Sequence, residues 1–200
     1  MKETLRSFIA LDFDSQAKDF LDHLLAEWKK RYPHAKWVKR EQFHITLFFF
    51  SALPVQNVDQ IGTILKETTS RFIPFPVTFE EVGTFPSWNR ARVLWLGLDR
   101  KGEQYAQQIH VFLAQGLKRA NIAWEEEKRS FIPHLTLVRF HPPVALSASQ
   151  WKLETVLPSC MQRMVLFQST LTPRGPIYQE LFSCNLEGVD RSERREESSE

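Results

Sequence analysis

Apolar and polar positions change period several times along this chain, and each change marks an element. Phe8, Ile9, Ala10 and Leu11 form a short unbroken apolar run within residues 5–12, the mark of a buried strand. From Asp14 or Ser15, either of which can cap a helix, Ala17, Phe20, Leu21, Leu24, Leu25 and Trp28 recur at helical spacing. Lys29, Lys30 and Arg31 fall in its last turn, where cations suit the helix dipole, and Pro33 stops it. Trp37-Val38 opens an extended piece. Pro54 can open a second helix, with Val58, Ile61, Ile64 and Leu65 as its stripe. Phe75–Phe85 alternates loosely as a strand, Pro86-Ser87-Trp88-Asn89 is a turn cluster, and Ala91–Leu98 is a second strand. Residues 102–119 read as a helix with Tyr105, Ile109, Phe112, Leu113 and Leu117 inward. Residues 142–150 read as a loop. Residues 161–171 and 177–186 form a hairpin around Thr172-Pro173-Arg174-Gly175-Pro176. Many turn-linked strands with interspersed helices indicate α+β with antiparallel or mixed sheets, not a doubly wound parallel sheet.

Two of the apolar runs carry the same polar pair. Phe43-His44-Ile45-Thr46-Leu47-Phe48 is answered by Pro133-His134-Leu135-Thr136-Leu137-Val138. Alternate residues of a strand share a face, so His44 and Thr46 point together, as do His134 and Thr136, about 6.5–7 Å apart along each strand. An imidazole and a hydroxyl at that separation can reach different oxygens of one phosphate. Strict alternation also puts Phe48 and Phe50 on the His44 face, where Phe48 could stack on a terminal base. An aromatic in such a run is otherwise core. A single His-x-Thr match carries little weight, and two satisfied strand histidines are the bland alternative. Recurrence inside two β-prone runs favours a shared phosphate site. Imidazole titrates near pH 7, so one ring can act as acid while the other acts as base, with Thr46 and Thr136 donating to non-bridging oxygens. His23, His34, His110 and His141 have no such setting and read as structural.

Composition narrows the picture. The 200 residues are 42% hydrophobic and 25% charged, ordinary for a globular protein, and the formal charge of +2 argues against coating long duplexes. Cys160 and Cys184 do not make a disulfide scaffold and are expected as reduced thiols. No metal spacing appears, so neither metal nor cofactor is expected. With no signal peptide read at the N-terminus and no apolar run of about 18 residues, the expected compartment is the cytosol. No linker separates independent domains, so residues 1–188 are expected as a single domain, and the charged tail, 189–200, as disordered. A monomer is the default expectation.

Several segments together resemble a known family. They are Leu5-Arg6-Ser7-Phe8-Ile9-Ala10-Leu11, residues 37–47, Phe85-Pro86-Ser87, Arg92-Val93-Leu94-Trp95-Leu96-Gly97, residues 131–139, Leu166-Phe167-Gln168-Ser169-Thr170-Leu171 and Gly175-Pro176-Ile177-Tyr178. The paired tetrads resemble the signature of the two-histidine phosphoesterase superfamily, and the other segments its RNA 2′,3′-cyclic phosphodiesterases, historically called 2′-5′ RNA ligases. The resemblance implies two lobes related by a pseudo-twofold, each an antiparallel sheet with helices outside, around a central groove with a tetrad on each wall. It implies metal-independent opening of RNA 2′,3′-cyclic phosphate ends, those of tRNA halves included, to 2′-phosphates, with weak reverse ligation. Within it His44 would be the proton donor and His134 the acceptor. It also makes Arg139 a substrate-binding candidate, although alternation puts Arg139 on the face opposite His134, so that only a twist or bulge would bring it to the phosphate. Arg6 is a similar candidate. Phe48-Phe49-Phe50-Ser51 departs from the Leu-Gly with which relatives often end this strand, and residues 144–160 do not align. A non-catalytic module for RNA ends, or an esterase of a small cyclic nucleotide or ADP-ribose cyclic phosphate, are the alternatives.

Overall fold

Among the described residues of the computed structural model (3–125, 130–153, 156–173 and 175–188), eight strands and three helices alternate along the chain. They are β1 (Thr4–Phe13), α1 (Ser15–Lys29), β2 (Lys36–Trp37), β3 (Ile45–Pro54), α2 (Val58–Thr69), β4 (Phe75–Phe85), β5 (Ala91–Leu98), α3 (Arg100–Arg119), β6 (His134–Val144), β7 (Leu157–Thr172) and β8 (Gly175–Asn185). The expected loop at Pro142 starts late, because β6 runs on to Val144 and pairs there with Ala91. The tail at 189–200 lies outside the described residues.

Every strand pairing is antiparallel, and the pairings close into a circuit. β7 is the hinge of that circuit. Its first residues, from Leu157 to Met161, pair with β4, and those from Met161 to Gln168 pair with β1. One lobe is therefore β3-β1-β7-β8 and the other is β6-β5-β4 with the start of β7, plus β2 on β6. On the opposite side the lobes meet through a single residue pair, Ile45 with Leu135. The expected α+β fold with antiparallel sheets is what the chain adopts.

The helices form because their apolar stripes have sheet faces to cover. Asp14 caps α1: its Oδ1 accepts from Ala17 N at 2.8 Å, and its Oδ2 accepts from Ser159 Oγ at 2.7 Å and Cys160 N at 2.9 Å. Burial opposes the Asp14 charge, but these donors outweigh it and hold the carboxyl below its usual range. One capping side chain thus ties α1 to β7. Ala17, Leu21, Leu25 and Trp28 face inward, while Phe20, expected among them, is exposed at the edge of the stripe. α2 and α3 pack on each other and against β8 and β4. Asn121, at φ 52°, ends α3 in the left-handed region, with Asn121 N donating to Lys118 O and Ile122 N to Leu117 O, both at 3.0 Å. No helix among the described residues is long and apolar enough to cross a membrane. Cys160 and Cys184 are free thiols, half-buried instead of fully in the core.

One apolar core spans both lobes. A second, smaller cluster lies on the other face of β1 and β7, where Phe8, Ala10, Val165 and Phe167 are buried with Phe49 and Tyr178 against them. That cluster is the floor on which the site is built.

Candidate active site

The pairing of Ile45 with Leu135 organises the site. In antiparallel register it sets His44 across from Thr136 and Thr46 across from His134, so the two tetrads meet as a four-cornered set. All four side chains line one cavity of about 900 Å³. The hydrophobic partners between them, Ile45 and Leu135, are fully buried behind it.

Each tetrad strand carries an extra residue directly after its threonine. On β3, Thr46 opposes Ala10 and Phe48 opposes Ile9, leaving Leu47 unpaired. On β6, Thr136 opposes Trp95 and Val138 opposes Leu94, leaving Leu137 unpaired. Such a bulge shifts the alternation by one. Beyond it the groove face passes to Phe49 on one strand and to Arg139 on the other. Phe48 is therefore not on the His44 face. It is 2% exposed and stacks on His110, with centroids 4.4 Å apart and planes at 4°. For Arg139 the same shift works the other way: it brings the side chain into the groove wall. Arg6 lines the same wall, its guanidinium carbon 4.3 Å from the Phe49 ring centre.

The histidines are held alike. His134 donates through Nδ1 to the Ile132 carbonyl at 2.7 Å, and His44 is hydrogen-bonded to the carbonyl of Gln42, the residue two places before it. A carbonyl only accepts, so the Nδ1–H of His134 is fixed as donor and proton exchange with a substrate falls to its Nε2. In His44, Nε2 lies 3.2 Å from Thr46 Oγ1. Their settings differ otherwise. His44 stacks on Phe8 (4.7 Å, 26°) with Tyr178 edge-on at 5.5 Å. His134 meets Phe85 edge-on at 4.9 Å, with Trp95 at 6.0 Å.

Burial by those aromatic neighbours pushes the His44 pKa down to about 4, against the upward pull of Asp12 and the Gln42 carbonyl and with a smaller push from Lys18 and Arg139. Asp12 is itself buried and ion-paired with Lys18 and with Arg163 at 2.8 Å. Arg163 continues to Glu180 at 2.8 Å on the groove rim. Tyr178 is half-buried, and burial raises its pKa, although Arg139 and Arg6 pull it down. Lys36 and Lys39 add cations to the rim and Glu41 an anion.

Reading the tetrads alone passes over Phe8, Phe49 and Tyr178. Phe49 needed the bulge. Phe8 and Tyr178 sit on strands with no local sign of chemistry, and only the pairing of β1, β7 and β8 carries them to His44.

A fold of two antiparallel lobes with His-x-Thr pairs across their junction defines the two-histidine phosphoesterases as a class. Residues 13–95 match the family described as LigT like Phosphoesterase. The RNA 2′,3′-cyclic phosphodiesterase of Archaeoglobus fulgidus is 32% identical over 180 residues, covering 88% of this chain and 98% of that protein. The protein of the same name from Thermotoga maritima is 29% identical over 192 residues, covering 92% and 97%. Among solved structures, TT0787 of Thermus thermophilus superposes with a TM-score of 0.80 at 22% identity, covering 92% of this chain and 99% of that one. E. coli LigT complexed with 3′-AMP gives 0.69 at 22% identity, with the same coverage. The chain belongs to the LigT-like family of two-histidine phosphoesterases, alongside the RNA 2′,3′-cyclic phosphodiesterases.

Proposed function

We propose that the chain hydrolyses the 2′,3′-cyclic phosphate at RNA 3′ ends to a 2′-phosphate, and that His44 and His134 are its acid and base. The observation that carries this reading is the lining of one cavity by both His-x-Thr pairs. The phosphate sits among the four side chains. His134 takes the proton of a water, the water oxygen bonds to phosphorus, the bond from phosphorus to O3′ breaks, and His44 gives O3′ its proton. Thr46 and Thr136 donate to the non-bridging oxygens, where charge builds in the transition state. Acid, base and donors all come from the protein, so the step needs no metal ion.

Before substrate enters, His44 is neutral at pH 7. An entering phosphate puts a negative charge beside its Nε2, which raises its pKa and readies it to donate. Arg139 and Arg6 lie where they can hold the anionic backbone, and the aromatic floor offers stacking for the terminal base. A cavity of about 900 Å³ suits a terminal nucleotide. RNA fragments with cyclic ends, tRNA halves included, are the substrates this favours. We take the protein to act as a monomer in the cytosol, the compartment that holds such RNA. Reverse joining through a 2′-5′ bond follows the same path and is expected to be slow.

Product analysis on an oligonucleotide ending in a 2′,3′-cyclic phosphate, in EDTA, tests this. The expected result is a 2′-phosphate end from the unmodified protein and a loss of at least about 10³-fold in kcat for His44→Ala and for His134→Ala with the fold retained. Turnover that survives either substitution overturns the assignment. Turnover of mononucleotides alone would point to a small cyclic nucleotide as substrate.

A further inference from the structure

His44 and His134 each meet the carbonyl of the residue two places before, but the chain secures those two carbonyls differently. Before His134 stands Pro133, whose ring fixes the backbone between carbonyl and imidazole. Before His44 stands Phe43, which has no such ring. The Phe43 side chain is buried in the core, yet the carbonyl before it ends a single 3-10 turn, Arg40–Gln42, which has little stability of its own.

A long-range contact supplies what that turn lacks. Gln42 Nε2 donates to the Pro176 carbonyl at 2.6 Å, across 134 positions of sequence, and Gln42 Oε1 accepts from Lys39 N at 3.2 Å. One amide thus spends its donor on the β7–β8 hairpin and its acceptor on the start of its own turn. Two residues beyond Pro176 the same hairpin carries Tyr178, the ring edge-on to His44. We propose that Gln42 is a positioning residue for the acid: its side chain straps the turn to the hairpin, and so sets both the carbonyl that meets the His44 ring and the aromatic wall beside that ring. The inference rests on the reading of His44 as the proton donor. With its amide committed to Lys39 and Pro176, Gln42 acts through His44 and not on the substrate.

The strap matters because it decides which ring nitrogen does the work. Nε2 of His44 lies 3.2 Å from Thr46 Oγ1, so Nδ1 is the nitrogen that meets the Gln42 carbonyl. A carbonyl only accepts, so the proton of the neutral ring rests on Nδ1, and Nε2 is the atom that gains and gives the catalytic proton. The imidazolium keeps its Nδ1–H on the same oxygen, which favours the charged form against burial. A loosened turn frees the ring to rotate and lets the proton of the neutral form rest on either nitrogen. A ring protonated on Nε2 alone has its lone pair on Nδ1, away from Thr46.

The test replaces Gln42 twice. Gln42→Met keeps the length and loses both polar ends, and Gln42→Asn keeps the amide but is one methylene too short to span to Pro176. Gln42 is half-buried on the groove wall, outside the core, so both variants are expected to fold. Nitrogen NMR of the imidazole rings in the free protein reads the tautomer without any need for turnover. The expected result is a neutral His44 protonated mainly on Nδ1 in the unmodified protein and on both nitrogens in each variant, with a lower titration midpoint and with His134 unchanged. Steady-state kinetics on a cyclic-ended oligonucleotide are expected to show kcat reduced about ten- to a hundredfold, with KM changed by less than about twofold. A His44 tautomer that neither variant alters, or a kcat that neither lowers, overturns the positioning role and leaves the phosphodiesterase reading standing. Absence of turnover in the unmodified protein overturns that reading, and this inference with it.

Discussion

Packed between Phe8 and Tyr178, His44 stays neutral until the pH falls to about 4. The unfolded chain takes up the same proton near pH 6.5. Between those values the unfolded state holds more protons, so this group's contribution to stability is complete above pH 6.5 and is lost as the pH falls toward 4. A ring-proton NMR titration is expected to place the His44 midpoint near 4 in the free protein and to move it upward on binding inorganic phosphate. A midpoint unmoved by phosphate would leave His44 unable to act as acid at pH 7. The threonines act at the same scale. Thr136→Val keeps shape but removes a donor, and a fall of about a hundredfold in kcat with little change in KM is expected from steady-state kinetics.

At the scale of elements, the bulges after Thr46 and Thr136 matter more than the strands' identity. They turn Phe49 and Arg139 to the groove and bury Phe48 and Val138. Behind β6, the Trp95 ring lies across Gly83 of β4, where a Cβ would come within 2.1 Å of it. Trp95 in turn stands 6.0 Å from His134. Gly83→Ala must displace that ring. The expected outcome is a stability loss of about 1–3 kcal/mol by denaturant titration and a fall in kcat larger than any change in KM. Normal kinetics in a destabilised variant would show that Trp95 does not position His134.

For the whole molecule, a formal charge of +2 sets a modest field, and the cations that matter are local: Arg6, Lys36, Lys39 and Arg139 around the groove. KM for a cyclic-ended oligonucleotide is expected to rise with salt with a log–log slope of about 1–3, as neutralising a few phosphates predicts, and to rise less for a cyclic mononucleotide. Equal slopes would mean that the rim does not hold the upstream strand. The wide junction between lobes has a structural cause. β3 and β6 share one residue pair, while β7 binds the lobes together on the far side.

Much of this was legible in the sequence, because strand and helix periods are local properties. Phe75–Phe85 and Ala91–Leu98 emerge with the bounds their patterns set, while the His-x-Thr pairs fall at the strand starts, His134 as the first residue of β6 and His44 one residue before β3. The chemistry of the four tetrad side chains is written in their residue types. Which further side chains join them is not, since a bulge depends on the strand alongside, and neither β1 nor β5 is adjacent in sequence to the tetrad it reshapes. For the same reason the depressed His44 pKa and the bond from Gln42 to Pro176 belong to the tertiary structure alone: both arise where residues distant along the chain meet.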